Sequence, residues 1–242
     1  MGQFISEATS AIVKKLKEIN KKHMRLPAII VNFKVYEQAT GDMAVELAKL
    51  HEKVAKETGA SIGIAVTAID LQRVSEAVSI PVFAQHIDPV SYGSGTGQIL
   101  PEQVKDVGAY GTLLNHAECQ VGDIALKQSI EMARELDLFT VVCANTPEKG
   151  AEIMKFNPDL IAVEPPELIG GDVSVSKADP SIIEKAVSLI GKNRVLVGAG
   201  IKTGEDVRIA LALGASGVLL ASGVTKAADP YAVLMDLVSG LK

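Results

Sequence analysis

Short apolar runs alternate with amphipathic helical stretches eight times along this chain, and this alternation limits the fold more than any other feature. We predict the apolar, β-branched runs as strands: Ala28 to Asn32, Ser61 to Val66, Val82 to Gln85, Gly111 to Asn115, Phe139 to Cys143, Leu160 to Glu164, Val195 to Val197 and Gly217 to Leu220. Apolar residues at helical spacing predict helices between them, most clearly at Met43 to Glu57, Ile124 to Glu135, Pro147 to Phe156, Ser181 to Ile190, Glu205 to Leu213 and Pro230 to Leu237.

Repeated strand–helix units predict parallel strands joined by helical crossovers. The strands are nearly continuous apolar runs, which indicates that both faces of the sheet are buried. Eight such units from Met24 onward predict the α/β class and a (β/α)8 barrel, whose usual length is roughly 200 to 400 residues. The alternative is a doubly wound open sheet, but no G-x-G-x-x-G sequence follows the first strand.

Residues 1–23 differ from the rest of the chain in charge. Five lysines against two glutamates make this segment basic, and its apolar residues recur at helical spacing over residues 5 to 20. We interpret residues 1–23 as an appended amphipathic helix that ends at a cloning junction, His23-Met24, with the barrel domain at residues 24–242. The segment is therefore left out of the chemistry.

The overall charge and the cysteine content exclude several functions. A formal charge of −5 and a pI near 5.5 argue against nucleic-acid binding. The longest apolar runs are far shorter than the roughly 18 residues that a membrane-spanning helix needs, so no membrane partner is expected. Two cysteines, Cys119 and Cys143, are too few for a disulfide framework and fit a reducing cytoplasm. Neither has a base beside it in the sequence, so we predict no thiol chemistry, and no Cys/His cluster has metal-binding spacing.

Small residues follow the last two predicted strands, as Gly198-Ala199-Gly200 and Ala221-Ser222-Gly223. In a barrel, active sites lie at the carboxyl ends of the strands, and phosphate often binds after strands seven and eight. Backbone N–H groups exposed before a helix favour anions there. Either turn alone is explained equally well by glycine closing a tight connection. The two together predict a phosphate site.

Polar residues at three other strand ends are candidates for chemistry. Lys34 would hold a dianionic substrate and stabilise a developing oxyanion, with Asn32 hydrogen-bonded to its ammonium group. Backbone donors and a helix dipole near His116 would keep its imidazole neutral and able to donate a proton. Glu164 precedes a stiff Pro-Pro pair, after which residues 167 to 177 would form a hinged lid. The alternatives are a solvated lysine, a structural histidine and a salt-bridged acid.

Five motifs, taken together, resemble those of the triosephosphate isomerase family, in particular its short archaeal branch. They are Asn32-Phe33-Lys34, Leu114-Asn115-His116-Ala117-Glu118, Val163-Glu164-Pro165, Gly198-Ala199-Gly200-Ile201 and Leu220-Ala221-Ser222-Gly223. The resemblance covers residues 24 to 242 and implies interconversion of dihydroxyacetone phosphate and glyceraldehyde 3-phosphate without a cofactor or metal. It also implies a homo-oligomer, at least a dimer, formed through the loop from Asp88 to Gly97.

The resemblance assigns roles to individual residues. Glu164 would carry the proton between the two carbons, His116 would be the neutral electrophile, and Lys34 with Asn32 would polarise the substrate and face the phosphate. This family is itself the standard example of that division of roles. Phosphate-binding residues would be Gly170 in the lid, Gly200, Ala221 and Ser222.

The strand-4 motif departs from the family pattern, because Ala117, Cys119 and Gln120 replace the usual hydroxyl and arginine. The lid also differs, with Gly171-Asp172 after Gly170. Two alternative functions stay open. The first is another phosphosugar barrel, such as a Schiff-base aldolase or a lyase, although no lysine lies in predicted strands four to eight. The second is a non-catalytic or weakened barrel used as an assembly scaffold.

Overall fold

The computed structural model describes residues 24–165 and 179–242. Its strands form a closed parallel barrel in which the order around the barrel equals the order along the chain. The strands are β1 (Ala28–Asn32), β2 (Ser61–Val66), β3 (Val82–Ala84), β4 (Gly111–Leu114), β5 (Phe139–Ala144), β6 (Leu160–Val163), β7 (Val195–Val197) and β8 (Gly217–Leu220). The predicted barrel is confirmed, and the open-sheet alternative is wrong.

Helices cover the outside of the barrel. Those in the described ranges are α1 (Asp42–Thr58), α2 (Leu71–Ala77), α3 (Pro101–Asp106), α4 (Asp123–Glu135), α5 (Pro147–Met154), α6 (Pro180–Ile190), α7 (Gly204–Ala212), α8 (Ser222–Thr225) and α9 (Pro230–Ser239), with a 3-10 turn at Glu37–Ala39. The sequence did not predict α2, α3 and α8, because seven, six and four residues are too few to show a helical period. No helix in the described ranges is long and apolar enough to cross a membrane. The predicted helix over residues 5 to 20 lies outside those ranges.

Three predicted strands end one residue too late, at Gln85, Asn115 and Glu164. Each of these polar residues leaves the sheet and turns into the mouth of the barrel. Asn115 does so in the left-handed region, with φ 57°. The three residues that were wrongly included in strands therefore lie at the mouth of the barrel.

Alternation along the strands decides which side chains enter the barrel. The interior cluster consists of Ile30, Ala65, Phe83, Leu113, Val141, Cys143, Leu160, Ala162, Leu196 and Leu219. Intervening residues such as Ile29 and Val31 pack with helical residues in the larger outer core. Five residues follow an interior residue by two positions and lie at the carboxyl end of a strand. They are Asn32, Gln85, Glu164, Gly198 and Ala221. The period of two therefore turns these five positions toward the mouth.

Gly217 allows the first and last strands to close the barrel. It pairs in register with Ala28, and its φ of 143° lies in a region that residues with a Cβ rarely adopt. A Cβ at this position would overlap the backbone of Ala28. Both the dihedral angle and the close approach therefore require glycine.

His51 lies on the inner face of α1 and is completely buried. Its Nδ1 is 2.7 Å from the Leu47 carbonyl oxygen, to which it donates, and its ring lies 5.3 Å from that of Phe33. The other nitrogen, Nε2, is buried with no hydrogen-bond partner among the described residues. Burial lowers the pKa of His51 to about 4, since a charged ring would lose its hydration.

We expect His51→Leu to remove a pH-dependent cost in stability. Because the pKa of His51 is depressed in the fold, the unfolded chain binds the extra proton between pH 6.5 and 4, and the parent loses stability as the pH falls through that window. A shift of this size corresponds to about 3 kcal/mol. Urea unfolding of parent and variant at pH 7 and pH 4 measures the difference. A difference that does not change with pH would contradict this assignment.

Candidate active site

A cleft at the carboxyl ends of the strands brings together residues from β1, β4, β6, β7 and β8. Its lining includes Asn32, Lys34, Tyr36, His116, Glu164, Ala199, Gly200, Ile201, Lys202, Ala221, Ser222 and Gly223. Every predicted site residue in the described ranges therefore lines one cleft. Gly170 and the predicted lid, residues 167 to 177, lie outside those ranges.

Glu164 is the buried acid of this cleft. One of its oxygens, Oε2, is buried without a hydrogen-bond partner among the described residues and lies 3.8 Å from Nε2 of His116. Burial raises the pKa of the carboxyl to about 7, against the lowering effects of the Cys143 thiol and the Lys34 ammonium. A carboxylate with a pKa near neutrality and an unoccupied oxygen is suited to accept a proton from a bound molecule.

The side chain of Glu164 reaches over Gly198 of the neighbouring strand end. A Cβ on Gly198 would overlap the carboxyl group of Glu164. The missing side chain at position 198 thus makes the room in which the acid lies. Glycine there has a steric role next to the acid as well as the predicted role in the turn.

His116 is held as a neutral donor. The backbone N–H of Glu118 donates to its Nδ1 at 3.1 Å, so this nitrogen carries the lone pair and the proton is on Nε2, which faces Glu164. Burial is the main cause that lowers the pKa of His116, and the positive charge of Lys34 adds to it. The predicted helix dipole is wrong as a cause, because α4 begins only at Asp123. The predicted backbone donor is confirmed.

Lys34 lines the same cleft as His116 and Glu164. Its ammonium group is 2.7 Å from Oε1 of Glu118, and only about a tenth of its side chain is exposed. The prediction that Asn32 would bind this ammonium is wrong. Oδ1 of Asn32 instead accepts the backbone N–H of Lys34 at 3.0 Å, because Lys34 turns into the left-handed region with φ 49°. Asn32 therefore holds the backbone of Lys34.

Gln85 supports the same turn and was not predicted as a site residue. Its amide nitrogen donates to Oδ1 of Asn32 at 3.1 Å and to the carbonyl oxygen of Lys34 at 3.0 Å. Together with Asn32, it satisfies both backbone groups of a residue that is unfavourable in this conformation. Its position at the carboxyl end of β3, in register with inward-facing residues, could have identified Gln85 as a site residue.

Cys143 is a second residue that the sequence analysis missed. It is buried inside the barrel on β5, and its thiol lowers the pKa of the Glu164 carboxyl group, against the larger effect of burial. Burial raises the pKa of the thiol well above its ordinary value, so it stays protonated and acts as a donor. The absence of a base beside it in sequence was misleading, because the contact is made between neighbouring strands. The prediction of no thiol chemistry stays a prediction.

The two turns of small residues line the same cleft. The N–H groups of Gly200, Ser222 and Gly223 make no hydrogen bond to another described residue, which leaves them free for a bound anion. Their predicted position directly before helices is correct only in part. Ser222 begins the one-turn helix α8, whereas three residues separate Gly200 from α7.

The altered residues of the strand-4 motif are largely accessible. Cys119 and Gln120 are exposed and Ala117 is half-buried. Cys119 still donates its N–H to the carbonyl oxygen of His116 at 2.8 Å. In residues 24–165 and 179–242, no cluster of three or more His, Cys, Asp or Glu side chains is placed to hold a metal ion.

The fold and the cleft define a (β/α)8-barrel protein in which a buried carboxylic acid and a buried histidine line one cleft with two turns of small residues. A family model for triosephosphate isomerase matches residues 27–240. The triosephosphate isomerase of Methanoculleus marisnigri is 50% identical over 220 residues, covering 89% of this chain and 99% of that protein. That of Metallosphaera sedula is 47% identical, covering 90% and 96%.

The chain therefore belongs to the triosephosphate isomerase family. A similar protein of that name from Methanobacterium bryantii is 49% identical and covers 88% of this chain and 96% of its own length. A crystal structure of triosephosphate isomerase from Bartonella henselae has a TM-score of 0.67 at 18% identity, covering 86% of this chain and 97% of that chain. The latter supports the fold alone.

Proposed function

We propose that Glu164, His116, Lys34 and Asn32 isomerise dihydroxyacetone phosphate and glyceraldehyde 3-phosphate in this cleft. Triose-phosphate isomerisation itself follows from the family to which the chain belongs. The observation that supports the residue roles is the buried Oε2 of Glu164, which has no hydrogen-bond partner in the part of the chain that the structure describes and lies 3.8 Å from Nε2 of His116. A base and a proton donor on one side of a small cleft suit proton transfer between adjacent carbons.

The mechanism assigns a separate step to each group. Glu164 removes a proton from the carbon next to the carbonyl group and returns it to the neighbouring carbon. Nε2–H of His116 gives its proton to the carbonyl oxygen as negative charge develops there, and the ring then takes the proton of the neighbouring hydroxyl group, which becomes the new carbonyl. The ammonium group of Lys34 stabilises the same charge. Asn32 positions Lys34 through its backbone. Since both electrophiles are prearranged, they need little reorganisation during the reaction.

The phosphate group would lie at the opposite end of the cleft. Backbone N–H groups of Gly200 and Ser222 are available there, and Ala221 leaves space for the phosphate because its side chain is a single methyl group. A lid over residues 167 to 177, including Gly170, would exclude water and slow the loss of phosphate from the intermediate. The proposal needs no cofactor or metal.

A coupled assay tests this function directly. Glyceraldehyde 3-phosphate is supplied, and the dihydroxyacetone phosphate formed is reduced by glycerol-3-phosphate dehydrogenase with NADH. We expect turnover by the parent chain and loss of turnover in Glu164→Gln. An inactive parent that is fully folded would favour the assembly-scaffold alternative instead. The aldolase alternative lacks its Schiff-base residue, because strands β4 to β8 contain no lysine.

We further propose that the chain is a cytoplasmic homo-oligomer in which residues 1–23 are an addition to the barrel. Both cysteines in the described ranges are free, which fits a reducing compartment, and the acidic charge disfavours nucleic acid as a partner. Tyr92, in the loop after β3, and Val35, beside Lys34, are 69% and 78% exposed. Large apolar side chains at this rim suit contact with a second subunit.

Light scattering of the full chain and of a version that starts at Met24 tests the assembly. We expect both to form an oligomer of the same number of subunits, at least a dimer, because the exposed rim lies on the barrel. Monomers in both preparations would contradict the oligomer. A lower number of subunits after truncation would show that residues 1–23 take part in assembly.

A further inference from the structure

Lys202 is a second lysine in the active-site cleft. It lines the cleft together with Gly200, Ser222 and Gly223. Among the described lining residues, Lys34 is the other lysine. In the proposed reaction, Lys34 serves the oxygen that becomes negative.

The backbone of Lys202 is firmly held by the start of α7. Its N–H donates to Oδ2 of the buried Asp206 at 3.1 Å. The same oxygen accepts the N–H and the hydroxyl of Thr203, at 3.0 and 2.9 Å, and the N–H of Asp206 donates back to that hydroxyl. This capping box fixes the residue before the helix, so the direction in which the lysine stem leaves the backbone is also fixed.

The stem of Lys202 runs along the second turn of small residues. A Cβ built on Gly223 would lie 3.7 Å from Cγ of Lys202 and 3.7 Å from its Cα. The side chain of Lys202 therefore lies beside the second turn. The ammonium group, three bonds beyond Cγ, can reach an anion held by the N–H groups of Ser222 and Gly223.

We infer that Lys202 is a second phosphate-binding cation, which gives the cleft its preference for a phosphorylated substrate carrying two negative charges. A phosphate monoester carries a charge of about −1.5 to −2 at neutral pH. Lys202 neutralises the charge at the phosphate end while Lys34 stabilises the charge at the reacting end. This inference rests on the proposed function, since it assigns the phosphate end of the same cleft.

The test compares Lys202→Met with Lys192→Met. Lys192 is exposed in the turn before β7, at the opposite end of the barrel, so its variant makes the same change in net charge away from the cleft. Binding of inorganic phosphate is measured by titration calorimetry, and KM and kcat for glyceraldehyde 3-phosphate are measured by the coupled assay. We expect Lys202→Met to weaken phosphate binding about tenfold and to raise KM by more than it lowers kcat.

Lys202→Arg should restore most of the phosphate affinity, because it restores the charge. Phosphate affinity in Lys202→Met equal to that in Lys192→Met would overturn the inference. Calorimetry measures phosphate binding without turnover. The role of Lys202 and the proposed function can therefore be contradicted independently of each other. A chain that binds phosphate through Lys202 but does not isomerise supports this inference and contradicts the proposed function. A chain that isomerises with phosphate affinity independent of Lys202 does the reverse.

Discussion

Replacing Glu164 by Gln is expected to lower kcat by about 1000-fold, within the range of about 100 to 10,000 that a positioned base contributes. The amide occupies the same space over Gly198 but cannot accept the proton. Substrate binding should change little, because the phosphate end of the cleft is untouched. The coupled assay measures turnover, and calorimetry with inorganic phosphate is the control. Turnover at the parent level would show that another group carries the proton.

Glu164→Asp gives an independent check of geometry. The carboxylate keeps its charge but is withdrawn by one methylene, and displacements of about 1 Å cost on the order of 100-fold in rate. In the parent, kcat/KM should fall as the pH drops below about 7, where Glu164 becomes protonated. A pH profile that is flat between pH 5 and 8 would contradict the assignment.

Glu164→Gln should also stabilise the fold at neutral pH. Because the pKa of Glu164 is raised from 4.5 to about 7, the unfolded chain is more ionised in this window, and the parent loses stability as the pH rises from 4.5 to 7. The shift corresponds to about 3 kcal/mol. We expect Glu164→Gln to gain about that much relative to the parent between pH 4.5 and pH 8 in urea unfolding. The acid is then retained for its chemistry at a cost in stability.

Lys34→Met is expected to lower kcat/KM by about 100- to 1000-fold, the effect of removing one preorganised group that stabilises an oxyanion. The substitution leaves Glu118 without its partner, but 60% of the Glu118 side chain is exposed, so folding should be little affected. Thermal unfolding next to Lys192→Met controls for this. Parent-level kcat/KM with normal folding would exclude Lys34 from the reaction.

The pH dependence provides a second, directional measurement for Lys34. Its positive charge lowers the pKa of both His116 and Glu164, whereas the negative charge of Glu118 raises both. In Lys34→Met, the acid limb of the kcat/KM profile should therefore move to higher pH. In Glu118→Gln, it should move to lower pH. Shifts in the same direction for the two variants would contradict the electrostatic role.

Much of the fold can be inferred from local pattern. Apolar runs with both faces buried favour strands of a covered parallel sheet, and eight of them separated by helices predict a barrel. Four predicted strands, β1, β2, β7 and β8, have the observed bounds. The strand ends also predicted Asn32, Lys34, His116 and Glu164 as site residues, because polar residues that follow a buried strand reach solvent at the mouth of the barrel.

Contacts between those strand ends depended on closure of the barrel. Lys34 and Glu118, which are 84 residues apart, form an ion pair, and Cys143 reaches Glu164 from the neighbouring strand. The spacing of apolar residues along the chain does not predict these contacts. They depend on the stagger of paired strands and on left-handed turns such as those at Lys34 and Asn115. The pKa values follow from the same cause. Burial inside a closed barrel raises that of Glu164 and lowers that of His116, because the enclosed cleft removes the water that would solvate their charged forms.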